Sequence, residues 1–137
     1  MIVIDAYGLT DFLIGRPEAI EAVEEALVED GGEALYAPDL IEPETLNALR
    51  RLARHGDLSD ERANQAVSDM ASLRLVRYPH EPLRARVWDL RDELSAYDAT
   101  YLALAEALDA PLLLTGDAGL AKRARRLLGD DGVRRVA

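Results

Sequence analysis

The chain has 137 residues, of which 49% are hydrophobic and 31% are charged, a composition typical of a folded globular protein. Its formal net charge of −10 argues against tight, non-specific binding to nucleic acid through phosphate neutralisation, and favours a basic partner or a bound cation. The sequence contains no cysteine, which excludes disulfides and thiolate metal sites. It also has no leader-like and no membrane-length apolar segment, so we expect a cytoplasmic protein.

Short apolar runs alternate with helical patterns along the chain. The predicted strands cover Ile2–Ile4, 34–37, Leu75–Tyr78, 111–115 and 133–136. Helical patterns cover 9–14, 18–29, 40–52, 59–73, 83–94, 94–109 and Ala118–Leu128. This alternation predicts an α/β fold, a three-layer α/β/α sandwich with a central, mainly parallel sheet. In such sheets the functional site lies beyond the carboxyl ends of the strands.

Acidic residues stand at four boundaries between these elements. Asp5 and Asp117 directly follow predicted strands, whereas Glu44 and Asp98 lie in the first turns of predicted helices. Each has a simpler structural interpretation. Asp5 and Asp117 are good helix N-caps, Asp98 can form a capping box with Ser95, and a carboxylate in the first turn, such as Glu44, is favoured by the helix dipole.

The joint placement of the four acids favours a shared role. Converging carboxylates repel one another and take up protons unless a cation lies between them. We expect no Lys, Arg or His next to any of the four acids except Arg50 and Arg51, which lie one to two turns beyond Glu44. A hard divalent cation such as Mg²⁺ or Mn²⁺ prefers oxygen ligands and would relieve this repulsion. An ion held in this way can activate water for in-line attack on a phosphodiester.

Two tyrosines flank Asp98 along the sequence. We expect Tyr101 to pack in the core and Tyr97 to line the site. Trp88 is expected to pack along the helix predicted over 83–94, and both His55 and His80 are expected at the surface.

At these residues the chain resembles the PIN-domain family, and within it the VapC-type toxins of toxin–antitoxin pairs. The resemblance spans essentially the whole chain. It rests on Ile2–Ile4 with Asp5, on 38–49, on 95–105, and on Leu114-Thr115-Gly116-Asp117 with Leu120-Ala121. None of these motifs is specific alone, but their order and spacing are. The resemblance implies a single PIN-like domain over residues 1–137.

The resemblance also implies a metal-dependent endoribonuclease, a hydrolase of RNA phosphodiester bonds. Its catalytic and metal-binding residues would be Asp5, Glu44, Asp98 and Asp117, with Mg²⁺ or Mn²⁺ as the cofactor. Thr115 matches a hydroxyl position near the metal, and Asn47 one that supports Glu44. The implied partners are an RNA substrate, a cognate antitoxin and a second copy of the chain in a homodimer, with no membrane involved.

One position departs from the family pattern. Two residues after Asp5 the family usually carries a small polar residue, whereas this chain carries Tyr7. A tyrosine at this position can alter metal affinity or substrate access, although the acids themselves are retained.

Two alternatives stay open. One is a PIN-type nuclease that matures RNA outside a toxin pair, and the other is a non-catalytic acidic binding module. A phosphoryl-accepting regulator is set aside, because that class needs adjacent acids after the first strand and a late lysine outside a helix. Here Asp5 stands alone and Lys122 lies within a predicted helix.

Overall fold

A five-stranded parallel sheet forms the centre of the molecule. The computed structural model describes residues 1–136, so the last residue of the predicted domain, Ala137, lies outside the described residues. The strands are β1 (Ile2–Ile4), β2 (Leu35–Pro38), β3 (Leu75–Tyr78), β4 (Leu112–Thr115) and β5 (Val133–Arg135). Their order across the sheet is β3-β2-β1-β4-β5, and every neighbouring pair is parallel.

Helices connect the strands and cover the sheet. They are α1 (Ala6–Leu13), α2 (Pro17–Asp30), α3 (Ile41–Arg54), α4 (Asp60–Ser72), α5 (Arg84–Asp89), α6 (Ala96–Ala107) and α7 (Ala118–Leu128). Short 3₁₀ turns lie at Glu81–Leu83 and Asp130–Gly132. The predicted three-layer α/β/α architecture with a parallel sheet is confirmed. No helix within residues 1–136 combines the length and the apolar character needed to cross a membrane.

The strand order places a topological switch point at the middle of the sheet. The chain builds outward from β1 through β2 to β3, and then returns to the other side of β1 with β4 and β5. Loops that leave β1 and β4 therefore diverge to opposite sides and open a crevice at the carboxyl ends of these strands. Asp5 directly follows β1, and Asp117 follows β4 by two residues.

Helix α6 is buried along most of its length, as its sequence predicts. Residues 99–105 are all buried, and the helix packs against β1 and β2. Because alanines are interspersed with leucines here, the helix axis can lie close to the sheet. Ser95 caps its N-terminus, accepting a hydrogen bond from the Asp98 backbone N–H at 3.2 Å. The first turn of α6 thus carries Asp98 at the rim of the core.

The single helix predicted over residues 83–94 is wrong. The chain forms the 3₁₀ turn, the short helix α5 and then further turns before α6 begins. Trp88, expected to pack along this helix, is 65% exposed, and the Arg91 guanidinium lies 4.7 Å from its ring centroid. The apolar spacing was still informative, because Leu83, Leu90 and Leu94 are all buried. Successive turns bury residues at the same intervals of three to four that a continuous helix does.

Candidate active site

Asp5 is a buried carboxylate held by three hydrogen bonds. It is only 3% exposed. Its Oδ1 accepts from the backbone N–H of Gly8 at 2.7 Å and from that of Gly116 at 3.1 Å, while Oδ2 accepts from the Thr115 hydroxyl. Burial is the main cause that raises the pKa of Asp5 to about 6, with a smaller contribution from the negative charge of Asp98, and the hydrogen bonds oppose this rise. The side chain is therefore fixed in position but costly to ionise.

Thr115 and Asp117 link the end of β4 to the start of α7. The Thr115 hydroxyl, which donates to Asp5, also accepts from the Asp117 backbone N–H at 2.9 Å. Asp117 caps α7, since its Oδ1 accepts from the N–H groups of Gly119 at 2.7 Å and Leu120 at 3.2 Å. The capping role considered for Asp117 is thus real. It occupies one carboxylate oxygen, and within residues 1–136 the other makes no hydrogen bond.

The charges of two other acids act on Asp98. Partial burial raises its pKa, and the negative charges of Asp117 and Glu44 raise it further. Arg123 on α7 opposes this rise, which corrects the expectation that only Arg50 and Arg51 lie near the acids. Neither carboxylate oxygen of Asp98 accepts a hydrogen bond from the described residues. Unlike Asp5, the Asp98 side chain is therefore not anchored by hydrogen bonds from residues 1–136.

Glu44 is oriented by a residue that the sequence assigned to the core. The hydroxyl of Tyr101 donates to Glu44 Oε1 at 2.7 Å, across 57 positions of sequence. Tyr101 is 2% exposed, so its ring packs in the core as expected, but its polar end reaches the site. Burial and the adjacent Glu44 carboxylate both raise the pKa of Tyr101, which keeps the hydroxyl protonated as a donor. Tyr97, expected to line the site, is 61% exposed.

Asn47 lies one turn after Glu44 without a hydrogen bond to it. Within the described part of the chain, the Asn47 side chain forms no hydrogen bond and is exposed. It lines a pocket together with Glu44, Tyr7 and Arg51. Its support of Glu44 therefore stays a prediction.

Gly116 allows the loops after β1 and β4 to touch. A side chain there would place its Cβ 2.7 Å from Tyr7 Cβ and 2.9 Å from the Tyr7 carbonyl carbon, closer than real contacts permit. The glycine thus lets its own N–H reach Asp5 Oδ1, and it packs the backbone of Tyr7 against the β4 loop.

The donor chemistry of these acids fits a divalent cation. All the groups are carboxylates, and the pKa of Asp98 is raised by burial and by the charges of Asp117 and Glu44. Each of Glu44 and Asp117 retains one oxygen that accepts no hydrogen bond from residues 1–136. In the side-chain positions described for those residues, however, no three Asp, Glu or His groups are close enough to hold one ion. Like charges hold carboxylates apart when no cation lies between them, and the terminal torsions of Asp and Glu are soft.

Fold and geometry together define a parallel α/β protein whose switch point carries Asp5 and whose Asp98 is acted on by the charges of Glu44 and Asp117. Residues 2–126 match the PIN domain family, and the chain belongs to that family. The resemblance to VapC-type PIN proteins is confirmed by curated relatives. The chain is 40% identical to Ribonuclease VapC1 of Mycobacterium tuberculosis over 120 residues, with 87% of each chain covered.

Further relatives extend this similarity. Ribonuclease VapC9 of M. tuberculosis is 36% identical, with 82% of this chain and 84% of the relative covered. Ribonuclease VapC12 of the same species is 34% identical, with 89% and 91% covered. Among solved structures, that of PAE2754 from Pyrobaculum aerophilum aligns with a TM-score of 0.59 at 21% identity, covering 98% of this chain and 88% of the other. This last similarity supports the fold alone.

Proposed function

We propose that the protein is a divalent-metal-dependent endoribonuclease that acts as the toxin of a toxin–antitoxin pair. The observation that carries the proposal is the position of Asp98, where burial and the charges of Asp117 and Glu44 raise its pKa, together with the anchored Asp5, on which the charge of Asp98 acts. The relatives whose names give ribonuclease activity support the reaction. The four acids are the proposed ligands and catalytic groups.

Each acid has a distinct part in this proposal. Asp5 is the fixed member, since three donors hold its carboxylate. Glu44 presents Oε2 because Tyr101 occupies Oε1. Asp117 presents the oxygen that does not cap α7, and Asp98 can turn most freely to meet a cation.

The expected cofactor is Mg²⁺ or Mn²⁺, which suits an all-oxygen site without His or Cys. When bound, such an ion supplies Lewis-acid stabilisation of the phosphoryl oxygens and favours deprotonation of the attacking water. Hydrolysis adds water across one P–O bond of the RNA and leaves one product with a phosphate end and one with a hydroxyl end. The carboxylates orient the reacting groups, and Thr115 supports Asp5 through its hydroxyl.

The partners follow from the same family membership. We expect a cognate antitoxin, whose inhibitory segment would be basic to complement the net charge of −10. We also expect a cytoplasmic protein, since VapC-type toxins act on cellular RNA. The family resemblance further implies a homodimer. Light scattering at a mass of about twice 15.1 kDa would support the dimer, and a mass equal to that of one chain would contradict it.

The test is cleavage of a panel of labelled RNAs by the purified protein, with Mn²⁺ or Mg²⁺ and with EDTA. We expect discrete products that require the metal, no products from Asp98→Asn, and full activity from the matched control Asp92→Asn at an exposed turn. Circular dichroism checks that both variants fold. Equal cleavage by Asp98→Asn, or cleavage that persists in EDTA, would overturn the proposal.

Two additions to this experiment, co-expression of the antitoxin and titration with Mn²⁺, separate the alternatives. Metal-dependent cleavage that a co-expressed basic antitoxin does not inhibit would favour an RNA-maturation nuclease outside a toxin pair. A folded protein that neither cleaves RNA nor binds Mn²⁺ would favour the non-catalytic acidic module.

A further inference from the structure

A small pocket lies directly beside Glu44, between the start of α1 and one face of α3. Its volume is about 130 Å³, and it is lined by Ala6, Tyr7, Glu44, Asn47, Ala48 and Arg51. Each of the α3 residues is three or four positions from two others, so they share one face of the helix. Because α1 packs against α3, Tyr7 faces this row from the opposite side.

The polar and aromatic groups of this pocket are available to a ligand. The Tyr7 side chain is 50% exposed although it is large and aromatic. Within residues 1–136, Arg51 forms no ion pair, and neither Asn47 nor the Tyr7 hydroxyl forms a hydrogen bond. By contrast, other arginines, such as Arg77, Arg86 and Arg134, pair with glutamates. An unpaired guanidinium beside an acidic site is available to bind an anion.

The size of the pocket limits what can occupy it. Pockets for whole drug-sized ligands begin at roughly 300 Å³, so this one suits a single flat ring within a longer molecule. Tyr7 is held at this position because its backbone packs against Gly116, where no side chain fits. The backbone that carries the ring is therefore held beside the loop that follows β4.

We propose that this pocket is a nucleotide subsite, in which an unstacked base of single-stranded RNA stacks on Tyr7 and an adjacent phosphate binds Arg51. Aromatic stacking and arginine–phosphate pairing are the usual means of holding single-stranded RNA. Asn47 offers an amide that can donate to and accept from a base edge. This inference rests on the proposed ribonuclease function and names the part of the chain that selects its substrate.

The arrangement also accounts for RNA binding by a chain of net charge −10. Long-range attraction to phosphate is weak for such a protein, so binding must depend on short-range stacking and on a local cation. Duplex RNA keeps its bases stacked and cannot offer one to Tyr7. We therefore expect the subsite to favour single strands.

The first test measures binding of a labelled single-stranded RNA of about ten nucleotides in EDTA, so that affinity is separated from cleavage. Tyr7→Ala should weaken the Kd by about 5- to 150-fold, the range that loss of one base stack gives, and Tyr7→Phe should stay within about twofold. The matched control is Trp88→Ala, which removes an exposed aromatic next to an arginine outside the pocket and should leave the Kd unchanged. The preference for single-stranded over duplex RNA should be lost in Tyr7→Ala.

The second test concerns the phosphate contact. Arg51→Ala should lower the slope of log Kd against log salt by about 0.7, the value for one phosphate contact on a single strand. Arg54→Ala, with the same charge change on the same helix but outside the pocket lining, is the control and should leave the slope unaltered.

The outcomes separate this inference from the function on which it rests. Metal-dependent cleavage with unchanged Kd and KM in Tyr7→Ala would overturn the subsite but leave the nuclease intact. Equal losses in Tyr7→Ala and Trp88→Ala, or in Arg51→Ala and Arg54→Ala, would also overturn it. Absence of both RNA binding and cleavage in the unaltered protein would overturn both. A rise in KM for Tyr7→Ala with little change in kcat would support the subsite.

Discussion

Asp5 combines firm anchoring with an unfavourable charge. Its hydrogen bonds to Gly8, Gly116 and Thr115 stabilise the ionised form, but burial outweighs them and the pKa rises to about 6. Such a group binds protons near neutral pH unless a cation replaces them. The residue is therefore suited to a metal site, and it makes the protein sensitive to pH.

This pKa sets the sign of a stability change. Because the pKa of Asp5 lies above its unfolded value of 3.8, the folded state holds the proton more tightly, and the stabilisation present at low pH is lost as pH rises through about 6. Between pH 5 and 7.5 this loss amounts to about 1–2 kcal/mol. Urea unfolding in EDTA should therefore favour the unaltered protein over Asp5→Asn more at pH 5 than at pH 7.5. A difference between the two proteins that stays constant with pH would contradict this.

Cleavage should show the opposite trend with pH. Protonated Asp5 cannot ligate a cation, so activity should fall as pH drops through about 6, and a higher Mn²⁺ concentration should move the midpoint to lower pH. The pH profile of kcat/KM at two Mn²⁺ concentrations measures this. A midpoint that does not depend on the metal would count against Asp5 as a ligand.

Tyr101 is the residue for which the sequence was least informative. Its apolar neighbours in α6 correctly predict a buried ring, but no local pattern reports a hydroxyl contact with Glu44, 57 positions away. The two meet only in the folded chain, where α6 packs across β1 and β2 and α3 begins shortly after β2. A buried hydroxyl that holds a ligand carboxylate acts as an outer-shell support.

Removal of that hydroxyl should weaken the metal site without unfolding the protein. We expect Tyr101→Phe to lower Mn²⁺ affinity or activity at limiting metal by about 10- to 100-fold, with activity restored at high Mn²⁺. Tyr36→Phe, at a half-buried ring in β2, is the control. An unchanged metal requirement in Tyr101→Phe would show that the contact is only structural.

At the scale of elements, caps and sites share the same residues. Asp5 caps α1 and Asp117 caps α7, so both simple interpretations of these acids hold alongside their proximity to Asp98 and Thr115. Helix N-termini at the carboxyl ends of strands favour capping side chains such as aspartate, and a metal site uses carboxylates at the same edge. Position in sequence alone therefore does not separate the two roles.

Substitution of Asp117 separates them. Asparagine caps a helix about as well as aspartate but carries no charge, so Asp117→Asn should keep its thermal stability and lose cleavage. Asp117→Ala should lose both, with about 1 kcal/mol less free energy of unfolding. Thermal melts and cleavage assays measure the two effects. Full activity in Asp117→Asn would leave capping as the only role of this carboxylate.

The predicted elements were most accurate where local signals agree. Helix α7 begins after an aspartate cap and ends at a glycine, and it spans the predicted residues Ala118–Leu128. The region 83–94 failed because apolar spacing reports which residues are buried, not whether the backbone hydrogen bonds between them are continuous. Helix α5 ends at Asp89 with Leu90 as its C-cap, and a turn connects it to Leu94.

At the scale of the whole molecule, strand order determines which acids meet. The alternation of strands and helices predicts a parallel sheet, but only the order β3-β2-β1-β4-β5 makes β1 and β4 neighbours and brings Asp5 next to the β4 loop. The placement of Asp98 depends in addition on the packing of α6 across β1 and β2. These long-range arrangements explain why the candidate acids could be proposed from sequence, whereas their hydrogen-bond partners could not.

Net charge acts at the same scale. With a net charge of −10 the compact state is opposed by self-repulsion, and the carboxylates near Asp98 concentrate that repulsion at one edge. A bound divalent cation should relieve it locally and add stability through binding.

Calorimetric titration of the metal-free protein with Mn²⁺ tests the shared carboxylate site most directly. We expect saturable binding in the unaltered protein and in Asp92→Asn, and binding weakened by about tenfold or more in Asp98→Asn. Saturable binding of equal strength in all three proteins would place the ion elsewhere. The absence of binding in the unaltered protein would contradict the proposed metal site itself.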